Sequence, residues 1–494
     1  MLFNSLHFLL FFPIVTGLYF LLPQARRWWL LLAASCYFYM AFIPAYLLIL
    51  FFLIVVDYFA GLAIDGSAGR TRKAYLVLSL IANLGILGTF KYFNFFSRSI
   101  ADLLHTARIG YDPFLLSLIL PIGLSFHTFQ SMSYTIEVYW GRQKPERHFG
   151  IYALYVMFYP QLVAGPIERP QNLLHQFRER HDFNYSRVVE GLKLMLWGFF
   201  KKAVIADRLA FMVNQVYGSP RDYSGVALLI ATYGFTFQVY CDFSGYSDIA
   251  IGAAQVMGFR LMKNFDRPFF SETTAEFWRR WHISLSSWFR DYVYYPMGGS
   301  RVPRLRRYFN LFAVFALCGL WHGAAWTYVG WGSFVGVCLV FALLTKTPRQ
   351  KLAALSGIKH LPGLYRFVKI VITVHLFAAG LVIFRANSLA DAGYIASRIF
   401  EDVPLAAGRA LASVSWKPIV AGIGNLGLSP FDLLLALCGV IVLMTAEFLQ
   451  GRRPLRPAVA ALPGWARWSA YYAVAASILL FGKFTSQQFI YFQF

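Results

Sequence analysis

The sequence predicts an all-α, polytopic membrane protein, and its composition and the distribution of its apolar residues lead to that prediction. Of the 494 residues, 58% are hydrophobic and only 14% are charged, whereas a soluble domain usually carries about 25% charged residues. Apolar runs recur along the whole chain, and many approach the roughly 20 residues that one helical crossing of a bilayer needs. Because no internal repeat and no extended soluble segment separates these runs, we expect a single integral-membrane domain over residues 1–494.

Roughly a dozen transmembrane or re-entrant helices follow from the apolar runs. In chain order the runs cover residues 6–22, 28–43, 45–64, 74–96, 113–139, 188–216, 225–240, 245–259, 309–320, 326–344, 367–384, 430–449 and 470–481. Several runs are too short for a full crossing, and runs interrupted by Gly and Pro are typical of re-entrant or broken helices around a central cavity. The segment 151–165, which is followed by Pro166, is the clearest example.

The chain is strongly basic, with 45 Lys and Arg residues against 23 Asp and Glu residues and a formal net charge of +22. On a soluble protein this charge would suggest a nucleic-acid partner. Here the basic residues cluster in short loops between apolar runs, which favours a cytoplasmic position for these loops and contact with membrane lipid, and no nucleic-acid partner. A basic cytosolic mouth would also attract a phosphate-bearing substrate such as a coenzyme A thioester. The basic clusters lie at residues 70–73, 304–307, 346–359 and 452–456.

One histidine, His322, lies in a stretch from Tyr308 to Thr345 that contains no Lys, Arg, Asp or Glu. An ionisable side chain inside an apolar stretch is costly, so its retention indicates a function. Small neighbours leave room for a ligand or for close helix contact, and two tryptophans could wall such a space. The small residues are Gly319, Gly323, Ala324 and Ala325, and the tryptophans are Trp321 and Trp326.

A second histidine, His282, lies in the patterned segment from Ser271 to Arg301, which is too polar to cross lipid. At about 100° per residue, aromatic and aliphatic side chains fall on one helical face and polar side chains fall opposite. We therefore expect one amphipathic helix with His282 at the border between the two faces. An interfacial helix anchored at the lipid head groups by Trp and Arg is the alternative. The apolar face contains Phe277, Trp278, Trp281, Leu285, Trp288 and Phe289.

Acidic and sulfhydryl side chains add two further candidates. Asp242 and Asp248 lie at the predicted junction of two apolar runs, where they could pair with Arg or orient a histidine, while capping by Asp242 or Ser244 is the alternative.

The five cysteines have no metal-ligand spacing and are expected to be core residues without disulfides. Cys318 precedes His322 by four residues, so a covalent thioester intermediate stays open. No metal and no bound cofactor is predicted.

These motifs resemble the membrane-bound O-acyltransferases, and the closest branch is that of the bacterial proteins that acetylate alginate and other polysaccharides. The resemblance runs essentially from end to end and implies a ring of tilted helices around a central funnel. It also implies that His322 is the catalytic base and that His282 is the second functional position. The segments that carry the resemblance are residues 1–5, 158–167, 240–252, 277–286, 319–326 and 489–494.

The resemblance further implies a membrane-bound O-acetyltransferase of the bacterial inner membrane, with acetyl-coenzyme A as co-substrate on the cytosolic side. The acetyl group would pass across the membrane toward an extracytoplasmic, alginate-like exopolysaccharide, through a periplasmic acetyltransferase of the SGNH-hydrolase type. The excursion 402–429 is a candidate docking surface for that partner. Besides the two histidines, the expected substrate-binding residues are Trp278, Arg279, Ser286, Trp321 and Asp242.

Three other functions stay open at this point. A transporter or flippase would use His322 and Asp242 to bind a proton or a substrate, and inverted repeats would support it. A related acyltransferase would act on lipid, protein, peptidoglycan or teichoic acid. A non-catalytic scaffold for a polysaccharide synthase would need neither histidine for chemistry.

Overall fold

The computed structural model describes residues 1–423, 426–453, 455–484 and 489–490, and within these residues the chain is helical without any strand. Three π-helical turns, Gly88–Tyr92, Phe200–Ala206 and Arg290–Tyr294, continue the helices α4, α9 and α13. The α-helices are α1 Leu6–Leu21, α2 Gln24–Met40, α3 Tyr46–Asp65, α4 Gly69–Leu87, α5 Phe93–Thr106, α6 Leu124–Tyr139, α7 Phe149–Met157, α8 Pro170–Leu173, α9 Tyr185–Phe199, α10 Asp207–Gly218, α11 Gly225–Met257, α12 Thr274–Arg280, α13 Ile283–Phe289, α14 Arg304–His322, α15 Trp326–Leu344, α16 Lys346–Leu355, α17 Pro362–Arg385, α18 Leu389–Ser413, α19 Lys417–Ile423, α20 Pro430–Arg452, α21 Leu455–Ala460 and α22 Gly464–Phe481.

Six helical stretches among the described residues are long and apolar enough to cross a membrane. They are α3, the continuous stretch Gly69–Thr106, α11, α15, α17 and α20. The other helices are shorter or more polar. The prediction of an all-α, multi-pass membrane protein is confirmed, while the central funnel stays a prediction.

The chain divides into two compact units. The first unit contains residues 1–196 and 246–263, and the second contains residues 197–245 and the described residues from 264 onward. The single domain expected for residues 1–494 stays a prediction.

The first unit contains the segment predicted as re-entrant. Helix α7 is only nine residues long, and every residue from Gly150 to Glu168 is buried. The side chain of Glu168 accepts hydrogen bonds from the backbone N–H of Met262 and from the Asn172 amide. A nine-residue helix spans about 14 Å, roughly half of the hydrocarbon thickness, so it cannot cross a bilayer.

The second unit is built around the hairpin of α14 and α15. A Cβ atom added at Gly319 would lie 2.2 Å from the carbonyl oxygen of Tyr328, and one added at Gly332 would lie 2.2 Å from that of Phe315. Only glycine permits so close an approach of two helix backbones. Three residues, Gly323 to Ala325, separate the two helices and turn the chain back.

Two predicted helix boundaries are wrong. The runs 225–240 and 245–259 form one helix, α11, which continues through the polar residues between them. Gly245 lies in this helix at a close approach to another helical segment, where an added Cβ atom would lie 2.8 Å from the carbonyl oxygen of Gly198. The run 113–139 is helical only from Leu124, because Gly123 adopts a left-handed conformation with φ 77°. Within segments quoted above, residues 424–425 of the excursion 402–429, residue 454 of the basic cluster 452–456 and residues 491–494 of the final motif lie outside the described residues.

Candidate active site

His282 lies at a break between two short helices. The predicted single amphipathic helix over Ser271 to Arg301 is wrong, because α12 ends at Arg280 and α13 begins at Ile283. His282 itself has φ 43° and ψ 56°, a left-handed conformation that no continuous right-handed helix contains. The imidazole is 1% exposed, so it lies inside the protein and not at a polar border.

The apolar face of this segment packs inside the protein. Trp281 is 4% exposed, and its ring centroid lies 4.7 Å from that of Phe377 and 5.1 Å from that of Phe265. Trp288 is 3% exposed. Buried indoles do not reach the lipid head groups. Trp281 and Trp288 therefore do not act as head-group anchors. The aromatic packing instead fixes α12 and α13 on both sides of His282.

His322 is the last residue of α14 and is 5% exposed. Its ring centroid lies 5.0 Å from that of Trp321 and 5.0 Å from that of Trp331. Gly319 permits the close contact between α14 and α15, as described above. An added Cβ atom at Gly323 would lie 2.2 Å from the Tyr328 ring. Trp326 is 56% exposed and therefore does not wall this site.

The two histidines lie close together in the second unit, with ring centroids 6.5 Å apart. Trp321 packs against both, at 5.0 Å from His322 and 6.0 Å from His282. Phe243 covers His282 edge-on at 4.5 Å. Burial, and secondarily the neighbouring His322, holds the pKa of His282 well below its usual 6.5. His282 is therefore neutral at physiological pH and can donate one hydrogen bond and accept another.

Three expected binding residues on α12 and α13 have different surroundings. Trp278 is half-buried, and its ring centroid lies 5.7 Å from that of Trp331, which packs against His322. The Ser286 hydroxyl donates to the carbonyl of Trp281 at 3.2 Å, so it already has a partner beside the helix break. Arg279 is exposed. The structure thus connects Trp278 to His322 through one aromatic ring and does not do so for Arg279.

Asp242 lies in the middle of α11, so the predicted junction and the capping alternative are wrong. Its Oδ1 atom lies 2.7 Å from the Nζ atom of Lys202, and Lys202 also lies 2.8 Å from Asp207. The Oδ2 atom of Asp242 accepts a hydrogen bond of 2.9 Å from the backbone N–H of Ile490. Pairing with a cation was expected, but the cation is a lysine and not an arginine. The next residue, Phe243, provides the contact with His282.

Comparison with known proteins gives concordant matches. The model of the membrane-bound O-acyltransferase family matches residues 148–377, a range that includes both histidines. The chain is 40% identical over 405 residues to a probable alginate O-acetylase of Pseudomonas aeruginosa, an alignment that covers 81% of this chain and 74% of that protein. The chain belongs to the membrane-bound O-acyltransferase family. It is accordingly an O-acyltransferase, and the predicted family is confirmed.

Further relatives of this O-acyltransferase differ in the acceptor that their names state. A probable alginate O-acetylase of Azotobacter vinelandii is 39% identical over 393 residues, which cover 79% of this chain and 76% of the relative. A peptidoglycan O-acetyltransferase of Helicobacter pylori is 36% identical over 321 residues, which cover 60% of each chain. The similarity therefore extends to acetyltransferases with more than one kind of polymer acceptor.

Several residues that contact His322 or Asp242 in this O-acyltransferase were not predicted from the sequence. Trp331 is 3% exposed, and its indole N–H has no hydrogen-bond partner within the described residues. Phe384, on α17, packs against His322 with ring centroids 5.6 Å apart. Lys202 was hidden in the apolar run 188–216, although two adjacent lysines in such a run were a signal. A π-helical turn, the kind of helix defect that is often found at functional sites, carries both lysines.

Two other histidines in apolar segments of the O-acyltransferase contact backbone carbonyl oxygens. His127 Nε2 contacts the carbonyl oxygen of Leu162, and His375 Nδ1 lies 2.7 Å from that of Val371. All five cysteines are free thiols, and Cys318 is buried. Within the residues that the structure describes, no group of three or more His, Cys, Asp or Glu side chains is arranged to hold a metal ion.

Proposed function

We propose that this O-acyltransferase transfers an acetyl group from acetyl-coenzyme A to a hydroxyl acceptor, with His322 as general base. The observation that carries the proposal is the juxtaposition of two buried histidines, 6.5 Å apart between ring centroids. A neutral imidazole near an apolar wall can accept a hydroxyl proton, because its unperturbed pKa of about 6.5 is close to physiological pH.

The reaction balances without any further reagent. The neutral His322 imidazole takes the proton from the acceptor hydroxyl, and the oxygen attacks the thioester carbonyl. The tetrahedral intermediate collapses, the C–S bond breaks, and the leaving thiolate takes the proton back from the imidazolium. The products are the acetyl ester and free coenzyme A.

We assign His282 to the developing oxyanion. A neutral imidazole has one N–H donor, and a donor held in place inside a dry site stabilises the negative oxygen more than water does. Trp321 and Trp278 would form walls of the substrate space, because their rings lie beside His322 and Trp331. Ser286 and Arg279 are weaker assignments, since one already donates to a backbone carbonyl and the other is exposed.

The direction of transfer follows from the chemistry of the donor. Coenzyme A is too polar to cross lipid, so acetylation of an extracytoplasmic polymer requires passage of the acetyl group alone. We propose a location in the bacterial inner membrane, with the donor on the cytosolic side and a periplasmic SGNH-type acetyltransferase that carries the group to the polymer. The net charge of +22 favours binding of the phosphates of coenzyme A at a basic cytosolic surface.

An alginate-like exopolysaccharide is the proposed final acceptor. The basis is the 40% identity with a probable alginate O-acetylase over 81% of the chain. Peptidoglycan is the second candidate, because a peptidoglycan O-acetyltransferase is 36% identical over 60% of the chain. The type of polymer synthase encoded beside this chain would separate the two.

The test uses the full chain in liposomes, with labelled acetyl-coenzyme A and the periplasmic partner. We expect release of free coenzyme A, and we expect His322→Ala to lower the rate by about 10²- to 10⁴-fold, the usual contribution of a general base. The matched control is His375→Ala, since His375 is an exposed histidine in an apolar helix. Full activity in His322→Ala would overturn the assignment of the base. If no thioester were consumed, a transporter or a scaffold would gain support.

A further inference from the structure

The backbone at His282 requires an external restraint. A residue with a Cβ atom is disfavoured at φ 43°, and such conformations persist only where the surrounding structure fixes them. His282 also occupies the N-cap position of α13, yet its side chain makes no capping hydrogen bond. The first N–H groups of α13 therefore need acceptors from another segment.

One residue, Asn264, supplies those acceptors. Its backbone carbonyl accepts from the N–H of Ile283 at 2.9 Å. Its side-chain Oδ1 accepts from the N–H of Ser284 at 3.3 Å and from the Ser284 hydroxyl at 2.7 Å. The Asn264 side chain is 0% exposed, so water does not compete for these bonds. Asn264 thus caps α13 in place of the N-cap residue, His282.

The segment around Asn264 is itself fixed on the other side of the break. The N–H of Asp266 donates to the carbonyl of Arg280 at 2.9 Å. The ring of Phe265 packs at 5.1 Å from Trp281 and at 5.0 Å from Phe243, the ring that covers His282. Residues 264–266 therefore hold the last residue of α12 and the first two residues of α13 together.

We propose that Asn264 is a positioning residue that aims the His282 imidazole toward His322. The inference rests on the proposed function of His282 at the oxyanion. Because Asn264 supplies the acceptors at the start of α13, capping does not set the direction of the imidazole, whose ring centroid lies 6.5 Å from that of His322. A side chain that acts in this way changes the rate of the chemical step without contacting the substrate.

Two substitutions of Asn264 test the proposal in the liposome assay. Asn264→Ala removes the side-chain acceptor and is expected to lower kcat by about 10- to 100-fold, with KM for acetyl-coenzyme A within about twofold, because a displaced catalytic group loses rate and not ground-state binding. Asn264→Asp keeps an acceptor oxygen and is expected to recover most of kcat. Because a loss of folded protein also lowers the apparent kcat at unchanged KM, kcat is expressed per folded protein, measured as the monodisperse fraction of each variant in detergent.

A double-substitution cycle shows whether Asn264 acts through His282. In the His282→Ala background, Asn264→Ala is expected to cause no further loss of kcat. The matched control is Asn310→Ala, since Asn310 is also 0% exposed and its amide donates to the carbonyl of Met297 at 3.1 Å. We expect the control to keep kcat within about twofold of the unsubstituted protein.

The outcomes separate this inference from the proposed function. If the unsubstituted chain transfers acetyl and needs His282, but Asn264→Ala is fully active or is equally impaired in both backgrounds, the positioning role is overturned. If the unsubstituted chain consumes no thioester, the proposed function fails first. Should Asn264→Ala not fold, Ser284→Ala removes only the 2.7 Å bond to Oδ1, and a decrease in kcat of about threefold with unchanged KM is then expected. An unchanged kcat in Ser284→Ala would contradict the proposal.

Discussion

The Nζ atom of Lys202 lies 2.7 Å from the Oδ1 atom of Asp242, and both side chains are buried. Lys202 lies equally close, at 2.8 Å, to Asp207, so one cation serves two carboxylates. Burial has the largest single effect on the pKa of Lys202 and lowers it. The two carboxylates together outweigh burial, so the pKa is raised overall. Lysine is thus the centre of this cluster.

The cluster predicts that two substitutions within it lower the free energy of unfolding by different amounts. Lys202→Met leaves two buried carboxylates without their cation and is expected to cost about 3–5 kcal/mol of unfolding free energy. Asp242→Asn leaves the pair of Lys202 and Asp207 intact, and an amide oxygen can still accept from Ile490, so we expect a smaller loss. Thermal unfolding of the purified variants in detergent checks the order. Lys193→Met is the control, since Lys193 is half-buried and pairs with Glu190 at 2.7 Å. An equal loss in Lys202→Met and Asp242→Asn would contradict the prediction.

The left-handed backbone of His282 predicts which residues the site tolerates. Gly and Asn adopt φ near +43° readily, whereas a β-branched residue does so at a cost of about 1–2 kcal/mol. We therefore expect His282→Asn to melt several degrees above His282→Val, because both shorten the buried side chain but only Asn adopts this backbone readily. Circular dichroism during heating in detergent measures this order. If Val were tolerated as well as Asn, the left-handed conformation would not be required in solution.

The contact of α14 with α15 predicts that Gly319 accepts no larger side chain. A Cβ atom there would lie 2.2 Å from a backbone oxygen, which cannot rotate away. We expect Gly319→Ala to lower the unfolding free energy by about 1–3 kcal/mol and to lower acetyl transfer, because the same helix ends at His322. Gly363→Ala on α17 is the control, since nothing lies within 4 Å of an added Cβ atom. Equal melting temperatures of the two variants would count against the close approach.

Glu168 predicts a pH dependence of stability in the first unit. Burial raises the pKa of this carboxyl from 4.5 to about 7, against the opposing effects of its hydrogen bonds with Met262 and Asn172. The folded state then binds the proton more tightly than the unfolded state does. The stabilisation is fully present below pH 4.5 and is lost as the pH rises toward about 7, by roughly 3 kcal/mol.

The measurement is the melting temperature between pH 4.5 and 8 for the unsubstituted protein and for Glu168→Gln. We expect the melting temperature of the glutamine variant to change less with pH between pH 4.5 and 7, because an amide does not titrate. Glu190→Gln is the control, since Glu190 is half-buried and already paired with Lys193. An identical slope in all three proteins would show that Glu168 does not carry the dependence.

The sequence was sufficient for the class of protein and for its two histidines. Apolar composition predicts membrane helices because a bilayer permits few other structures, and α15 was predicted at its observed bounds, Trp326–Leu344. An ionisable His322 in an uncharged stretch is detectable from local context alone. The motifs around His282 and His322 were also sufficient to predict the family.

Only the tertiary structure decided how these side chains are arranged. Helical periodicity assumes an unbroken helix, so it could not place the left-handed turn at His282, which depends on hydrogen bonds that Ser284 donates to Asn264 in another segment. The same limit applies to Asp242, whose partner Lys202 belongs to a different helical stretch. Contacts between residues far apart in the chain have no local signal. The sequence therefore determined which groups are available, and the packing of distant helices determined that His282 and His322 lie together.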